Sequence, residues 1–420
     1  MENTFSNEVC FYVEADDSLL KQCAKIELPL SLDFKKHITC LNNQNEYLEE
    51  LVKDGLSRKY SEITPKIQER CNYELQIIYE KGFTDYFLIL WEIVSWAKGN
   101  WDNVNKREKK TISIGPGCGT AGCSIVAYSL GITDIDPIQF NLPFERFYNP
   151  QIESFPNVNI DADFDCLKDI SEHIHLLYGD NQIKNDTNVG VRFNFSGLKP
   201  LSVIRYAENV ICKNIGAGES ILNFNESDTN VFNLFKQGEM KDIYLFEDNG
   251  LKEIFCKLQP DKIENLWAIY ALYRPGLMEL IPEYIEAKNN PENFHYPDSC
   301  LESILKETYG LIIYQEQVML IIQRITGFSL AKADLARRIM AKKNATDITK
   351  LKEEFIEAAG NKGFTKKHAE NLFELLEERT VNAFNKSHAI ACVKVAYKTA
   401  WLKVYYPKEF NEANEKYYNK

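Results

Sequence analysis

The run NVNIDADFD, residues 157–165, places a polar side chain at every second position. Asn159, Asp161, Asp163 and Asp165 project from one face if this run forms a regular strand, because successive side chains of a strand point to opposite faces. Carboxylates in a row are stable when water covers them or when a cation binds them, and oxygen-rich clusters suit Mg²⁺. The run therefore predicts either a solvated edge strand or one wall of a magnesium site.

Most of the remaining pattern is helical. Apolar residues recur at helical spacing from Ile67 to Lys98 on either side of Gly82, which predicts two helices. A helix is also predicted over 45–56, and residues 193–202 predict a second strand that enters a helix. We expect an α+β fold with an N-terminal segment over 1–66, a small mixed domain over 67–200 and a large helical domain over 201–420.

Composition bounds the class of protein. The 420-residue chain is 45% apolar and has eleven cysteines without a CxxC pair, which favours a globular protein with reduced thiols. Its first thirty residues hold no sustained apolar run, so we expect no signal peptide, no membrane association and a cytoplasmic location. The net charge of −12 argues against a protein coated in nucleic acid.

A glycine-rich turn, GPGCGTAGCS, spans residues 115–124 and precedes a helix predicted to begin near Ala121. Backbone N–H groups before a helix N-terminus form an anion cradle, so a phosphate is one expected occupant. A tight connection between a strand and a helix is the alternative. The candidate phosphate-binding residues of the turn are Gly115, Gly117, Gly119, Thr120 and Ser124.

The helical half contains a basic stretch between Arg324 and Lys350. Such a stretch either binds the phosphates of a nucleotide or of DNA, or is a solvated helix face. His388, in the segment FNKSH, is either a functional residue or a satisfied structural histidine. The basic candidates are Arg337, Arg338, Lys342 and Lys343.

Taken in order, these segments resemble the alpha subunit of bacterial DNA polymerase III, a C-family replicative polymerase. The resemblance covers roughly Glu74 to the end of the chain, with a weaker trace before it. The matching stretches are GFTDYFLILWEIVSWAK, IGPGCGTAGCSIVAYSLGITDIDP, FERFYNP, LQPDKIENLWAIYALYRPG, TYGLIIYQEQVM, ADLARRIMAKK and FNKSHAIACVKVAYKTAWLKVYYPKEF.

The resemblance implies a nucleotidyltransferase-type palm, in which three aspartates hold two Mg²⁺ ions, and a helical fingers domain that binds the incoming nucleotide. The family strand Pro-Asp-x-Asp-x-Asp aligns from Pro156, which puts Asn159 and Asp161 on the metal-binding pair and Asn194 on the third aspartate. A register slip of two residues would recruit Asp163 or Asp165 instead. The candidate catalytic residues are Asn159, Asp161, Asp163 and Asn194, with Asp161 and Asp163 as metal ligands.

The resemblance also implies a nucleotide site in the fingers. This sequence departs from the family at Cys118, where the family has arginine. It also departs at the short stretch 180–191, where the family has the thumb and much of the palm. The PHP domain and the C-terminal regions of the family are also expected to be absent from this sequence. The fingers also retain Glu316 of the family, and the nucleotide-binding residues carried over by the resemblance are Arg274, Gln315, Arg337, Arg338, Lys342, Lys343, Lys386 and His388.

Three functional hypotheses follow. The first is a reduced but active DNA polymerase that uses Asp161 and Asp163 with two Mg²⁺ ions. The second is a degenerate polymerase with weak or no nucleotidyl transfer that still binds nucleotide triphosphate, DNA or a replication protein, because two Asp-to-Asn changes remove charges that offset the cations. The third is a gene remnant, or one part of a split polymerase that needs a second chain.

Overall fold

The computed structural model describes residues 8–13, 44–99, 111–178, 183–184, 191–215, 225–292 and 294–418. These residues belong to two compact units. Unit 1 draws on 1–147, 154–222 and 407–420, and unit 2 on 148–153 and 223–406.

Unit 1 contains a mixed sheet and a shell of helices. Its strands are β1 (Glu8–Val13), β2 (Asn159–Asp163), β3 (Ile183–Lys184) and β4 (Val191–Leu198). Its helices are α1 (Gln44–Lys59), α2 (Pro65–Glu80), α3 (Thr84–Ala97), α4 (Ile125–Ser129), α5 (Phe144–Phe147), α6 (Leu167–Tyr178), α7 (Lys199–Ile215) and α18 (Pro407–Tyr418).

The four described strands lie in the order β2-β4-β1-β3. β2 runs parallel to β4, and β1 runs antiparallel to both β4 and β3. The aromatic rings of Phe193 on β4 and Tyr86 on α3 stack with centroids 4.9 Å apart, and the Tyr86 hydroxyl accepts the Val158 N–H at 3.0 Å. These contacts attach the sheet to α3, and α7 packs against β2.

Local signals explain where the helices of unit 1 begin and pack. Thr64 caps α2, with Pro65 at the start of the helix, where a missing N–H is harmless. Gly82, at a φ of 70°, separates α2 from α3 as predicted. α1 packs on α4 through Gly55, whose added Cβ would lie 2.0 Å from the carbonyl oxygen of Ser129. Only glycine permits this approach.

The described part of unit 2 is built from helices and the turns that connect them. The helices are α8 (Thr229–Gln237), α9 (Asn249–Leu258), α10 (Ile263–Leu272), α11 (Ile281–Asn289), α12 (Glu302–Leu305), α13 (Gln315–Thr326), α14 (Leu330–Lys342), α15 (Ala345–Asn361), α16 (Lys366–Thr380) and α17 (Lys386–Tyr405). A buried apolar core forms where α13, α14, α15 and α16 pack together, and α10 and α8 pack against the long helix α17.

The α+β class is confirmed, and so are the strand at 159–163 and the strand that enters a helix at Lys199. The compact units do not coincide with the predicted boundaries at 66 and 200. α1 packs into unit 1, and α7 joins the same unit because it packs on β2 and α18. None of the helices in the described part of the chain is long and apolar enough to cross a membrane.

Candidate functional site

Asn159 and Asn194 stand opposite each other on the parallel strands β2 and β4. Asn194 is 6% exposed, and its Nδ2 donates a hydrogen bond of 3.1 Å to Oδ1 of Asn159. Two carboxylates about 4 Å apart would repel each other by about 4 kcal/mol at an effective dielectric constant of about 20. The two amides replace that repulsion with a hydrogen bond, so these strands need no cation between them.

Asp161 lies two residues beyond Asn159 on β2, and the glycine-rich turn covers it. The Gly115 N–H donates to the Asp161 carbonyl oxygen at 2.7 Å, and a Cβ added to Gly115 would lie 3.0 Å from the Asp161 Cβ. The Cys118 thiol donates a hydrogen bond to the carboxylate. Burial raises the pKa of Asp161 to about 6, and the hydrogen bond from Cys118 opposes that rise.

Asp163 ends β2 with a fully buried carboxylate. Ser202 Oγ donates to its Oδ1 at 2.6 Å, Arg205 Nε forms an ion pair with its Oδ2, and both partners lie on α7. Asp163 also accepts the Asp165 N–H at 3.0 Å as the cap of a short 3₁₀ turn, Phe164–Cys166. The carboxylate predicted as a metal ligand is thus already neutralised by Arg205.

The predicted acidic row does not continue to Asp165. β2 ends at Asp163, and Asp165 lies in the 3₁₀ turn, so the alternation of a strand no longer applies to it. Its Oδ2 accepts a hydrogen bond of 2.6 Å from the Tyr417 hydroxyl on α18, and Arg205 Nη2 lies 3.8 Å from the same oxygen. Asp165 therefore belongs to a contact between α7, α18 and the end of β2.

These donors do not fit a two-magnesium centre. A pair of Mg²⁺ ions needs bridging carboxylates, and Asp161 is the one acidic side chain of β2 without a basic partner among the described residues. The Asn159 amide oxygen brings no charge and is engaged by Asn194. Across the residues that the structure describes, no group of three or more His, Cys, Asp or Glu side chains is arranged to hold a metal ion.

The start of α4, where the glycine-rich turn ends, already binds an acidic side chain, that of Glu74. Ser124 Oγ donates to Glu74 Oε2 at 2.7 Å, and the backbone N–H groups of Ile125 and Val126 donate to the two carboxylate oxygens at 3.1 and 3.2 Å. Arg70 Nε pairs with Glu74 at 2.6 Å. The Ser124 side chain is buried and its hydroxyl is engaged by Glu74, and the phosphate role of Ser124 stays a prediction.

The remaining predicted residues of the turn differ in their surroundings. The Gly115 N–H is used by Asp161, and the Thr120 carbonyl accepts the Cys123 N–H at 2.9 Å. Gly117 has a φ of 155°, and a Cβ there would lie 2.9 Å from Thr133 Oγ1. Gly119 has a φ of 63° with open space around it. A 3₁₀ turn, Ala121–Cys123, occupies the expected helix start, and the α-helix begins at Ile125.

In unit 2 the structure brings together Arg274, Phe384 and His388. The Arg274 guanidinium lies over the Phe384 ring, 3.6 Å from its centroid, and the His388 ring lies 5.8 Å from the same ring. Burial and the nearby Arg274 charge both lower the pKa of His388. Burial also lowers the pKa of Arg274, whose Nε has no hydrogen-bond partner among the described residues. This cationic, aromatic group is suited to an anionic, planar ligand.

Gln315 and Lys386 lie beside this group but make structural contacts. Gln315 Nε2 donates to the Ala383 carbonyl at 2.9 Å. Lys386 is buried; its Nζ pairs with Glu307 at 2.7 Å, and its backbone N–H donates to Glu316 Oε2 at 2.9 Å. Glu316 is itself buried and thereby fixes the start of α17, the helix that carries His388.

Within the basic stretch between Arg324 and Lys350, some of the candidate side chains are buried and others are exposed. Arg337 is buried, and both Arg337 and Arg338 donate to the buried carboxylate of Asp334, at 2.8 and 2.7 Å. Arg337 therefore does not belong to an exposed phosphate-binding face as predicted. Lys342 and Lys343 are exposed at the C-terminal end of α14.

Comparisons with known proteins match nearly the whole described chain. Residues 46–192 match the bacterial DNA polymerase III alpha NTPase domain, and residues 200–363 match the bacterial DNA polymerase III alpha subunit finger domain. The DNA polymerase III subunit alpha of Treponema pallidum is 33% identical over 89% of the chain, and that of Borreliella burgdorferi is 32% identical over 89%. The chain belongs to the DNA polymerase III alpha subunit family.

The chain spans 41 to 42% of the length of these two DNA polymerase III alpha subunits. The alignments run over 490 and 489 positions, more than the 420 residues of this chain. The two relatives therefore contain additional residues inside the aligned region.

Reasoning from sequence missed three residues that determine the contacts of the candidate site, namely Arg205, Glu74 and Asp334. Arg205 pairs with Asp163, which was predicted to bind a metal ion. Glu74 accepts the N–H groups at the start of α4, and Asp334 binds the guanidinium of Arg337 inside the protein. The spacing of Asp334 three residues before Arg337 was a usable signal, because side chains three or four apart on a helix meet. Arg205 and Glu74 lie 42 and 50 residues from their partners, and no local pattern reveals such contacts.

Proposed function

We propose that this chain is a degenerate DNA polymerase III alpha subunit that has weak or no nucleotidyl transfer and retains binding of a nucleoside triphosphate through unit 2. One observation carries the proposal. Asp163 is buried and paired with Arg205, which leaves Asp161 as the single carboxylate of β2 without a basic partner among the described residues. Phosphoryl transfer by two metal ions needs more negative ligands than one carboxylate supplies.

The retained binding function is supported by the group around Phe384. Arg274 supplies a guanidinium that can donate in a bidentate manner to phosphate oxygens, and the aromatic and imidazole rings offer surfaces to a base. Arg338, Lys342 and Lys343 are further basic residues with exposed side chains. DNA, other replication proteins, or a second chain that supplies missing parts are the partners that the family implies.

The binding half of this proposal is tested with a fluorescent nucleoside triphosphate titrated into the full chain. Arg274→Met should weaken binding by about tenfold, because a charge-assisted hydrogen bond contributes about 1.5 kcal/mol or more. Arg324→Met is the matched control, since Arg324 is exposed on α13 and makes only surface contacts in the structure. Binding that is absent from the wild-type chain, or unchanged in Arg274→Met, would refute the retained site.

A further inference from the structure

We infer that the Asn159–Asn194 pair is a metal-independent clasp that takes the place of a bound divalent cation, and that Asp at both positions would complete a divalent-cation site with Asp161. This inference concerns the sheet of unit 1 and does not depend on nucleotide binding by unit 2. The family implies a two-magnesium centre held by aspartates. In this chain, β2 and β4 instead present the amides of Asn159 and Asn194 and an Asp163 carboxylate that is paired with Arg205.

The geometry of the strand pair carries the first step. The parallel register places Asn159 opposite Asn194 and Asp161 opposite Ser196, so positions 159, 161 and 194 lie within one small region of two adjacent strands. The 3.1 Å hydrogen bond between the two amides shows that their side chains meet. Carboxylates at the same positions would meet equally closely.

Charge carries the second step. Asn194 is almost fully buried, and a buried carboxylate is unstable unless a cation or several hydrogen bonds compensate it. The two amides form a hydrogen bond with each other and carry no charge. The clasp therefore holds β2 to β4 in the absence of a cation.

The surroundings of the clasp carry the third step. Arg205 neutralises Asp163, and Ser202 donates to the same carboxylate, so Asp163 stabilises this end of β2 internally. The glycine-rich turn leaves the Asp161 carboxylate half-buried, with the Cys118 thiol as its hydrogen-bond donor. With Asp at positions 159 and 194, a cation bound between these two side chains and Asp161 would therefore face three carboxylates. Mg²⁺ and Mn²⁺ accept such a donor set.

The test compares four full-length proteins: the wild type, Asp161→Asn, the double variant Asn159→Asp/Asn194→Asp, and the triple variant that adds Asp161→Asn to the double variant. Mn²⁺ binding is measured by electron paramagnetic resonance, and Tm is measured with Mn²⁺ or with EDTA. We expect the wild-type Tm to be the same in both conditions. The double variant should have a lower Tm in EDTA, bind Mn²⁺ and regain several degrees with it, and the triple variant should lose most of that binding.

Two results would overturn the inference. One is wild-type binding of Mn²⁺ that Asp161→Asn abolishes, because the amides would then be part of a working metal site. The other is a folded double variant, verified by circular dichroism, that does not bind Mn²⁺. If the double variant does not fold even with Mn²⁺, Asn194→Asp alone is used: its Tm should rise with Mn²⁺, and a Tm that Mn²⁺ leaves unchanged counts against the inference.

Discussion

Arg205 on α7 forms an ion pair with the fully buried carboxylate of Asp163 at the end of β2. The same carboxylate accepts a hydrogen bond from Ser202, and Arg205 also approaches Asp165. A residue that could have faced a metal ion is thus part of the internal support of the sheet. The contact predicts that Arg205 matters for stability.

Arg205→Met should destabilise the chain by about 3 to 5 kcal/mol, because it leaves the Asp163 carboxylate buried and unpaired. Urea unfolding followed by circular dichroism measures the change. The matched control is Arg58→Met, which removes an exposed ion pair with Asp54 and should change stability by less than about 1 kcal/mol. Equal effects of the two substitutions would show that the Arg205 pair contributes no more than a surface contact.

Glu74→Ala should destabilise the chain by about 3 kcal/mol, because the buried donors of Ser124, Ile125 and Val126 lose their acceptor, and each unsatisfied buried donor costs about 1 to 3 kcal/mol. Glu80→Ala on the same helix removes an exposed side chain and serves as the control. The unfolding midpoint in urea is the readout. A Glu74→Ala midpoint close to that of Glu80→Ala contradicts the assignment of Glu74 as the acceptor at the start of α4.

Asp85 predicts a pH dependence of stability. Burial raises its pKa from 3.8 to about 7, and its Oδ1 has no hydrogen-bond partner among the described residues. Because the pKa of Asp85 is higher in the folded than in the unfolded chain, folding favours its protonated form. The contribution of Asp85 to the free energy of unfolding is therefore fully present below pH 3.8 and is lost as pH rises through 7. Asp85→Asn cannot ionise, so it should gain about 4 kcal/mol relative to the wild type as pH rises across this range, because each pH unit between the two pKa values contributes about 1.4 kcal/mol.

The Asp85 measurement uses chemical unfolding of wild type and variant at several pH values. The difference between the two proteins isolates Asp85, because other titrating groups such as His173 are common to both. Asp54→Asn, at an exposed position, is the control substitution. A wild-type minus Asp85→Asn difference that is also independent of pH would contradict the burial of an ionisable Asp85.

Local pattern predicted much of the fold. The alternation at 159–163 and the breaks at Gly82 and Lys199 were sufficient to place a strand and several helices, because these signals act within a few residues. Helix ends were less well defined: α1 begins at Gln44 and ends at Lys59, beyond the predicted 45–56.

The sequence predicted that the side chains of Asn159 and Asn194 lie close together, but it did not predict the partners of the neighbouring carboxylates. Asn159 and Asn194 were expected to share a site, and they are hydrogen-bonded to each other. The ion pair between Asp163 and Arg205 depends on how α7 packs against β2. The hydrogen bonds from the start of α4 to Glu74 depend on how α2 packs beside α4. Tertiary contacts of this kind have no signature in spacing or composition.

The most direct test of the account is single-nucleotide incorporation on a primed DNA template by the full chain, first with Mg²⁺ and then with Mn²⁺. Asp161→Asn is the matched control, because it removes the remaining carboxylate and leaves the Asp163–Arg205 pair intact. The account predicts little or no primer extension by the wild type, at the level of the control. Metal-dependent extension that disappears in Asp161→Asn would contradict it and establish a working active site.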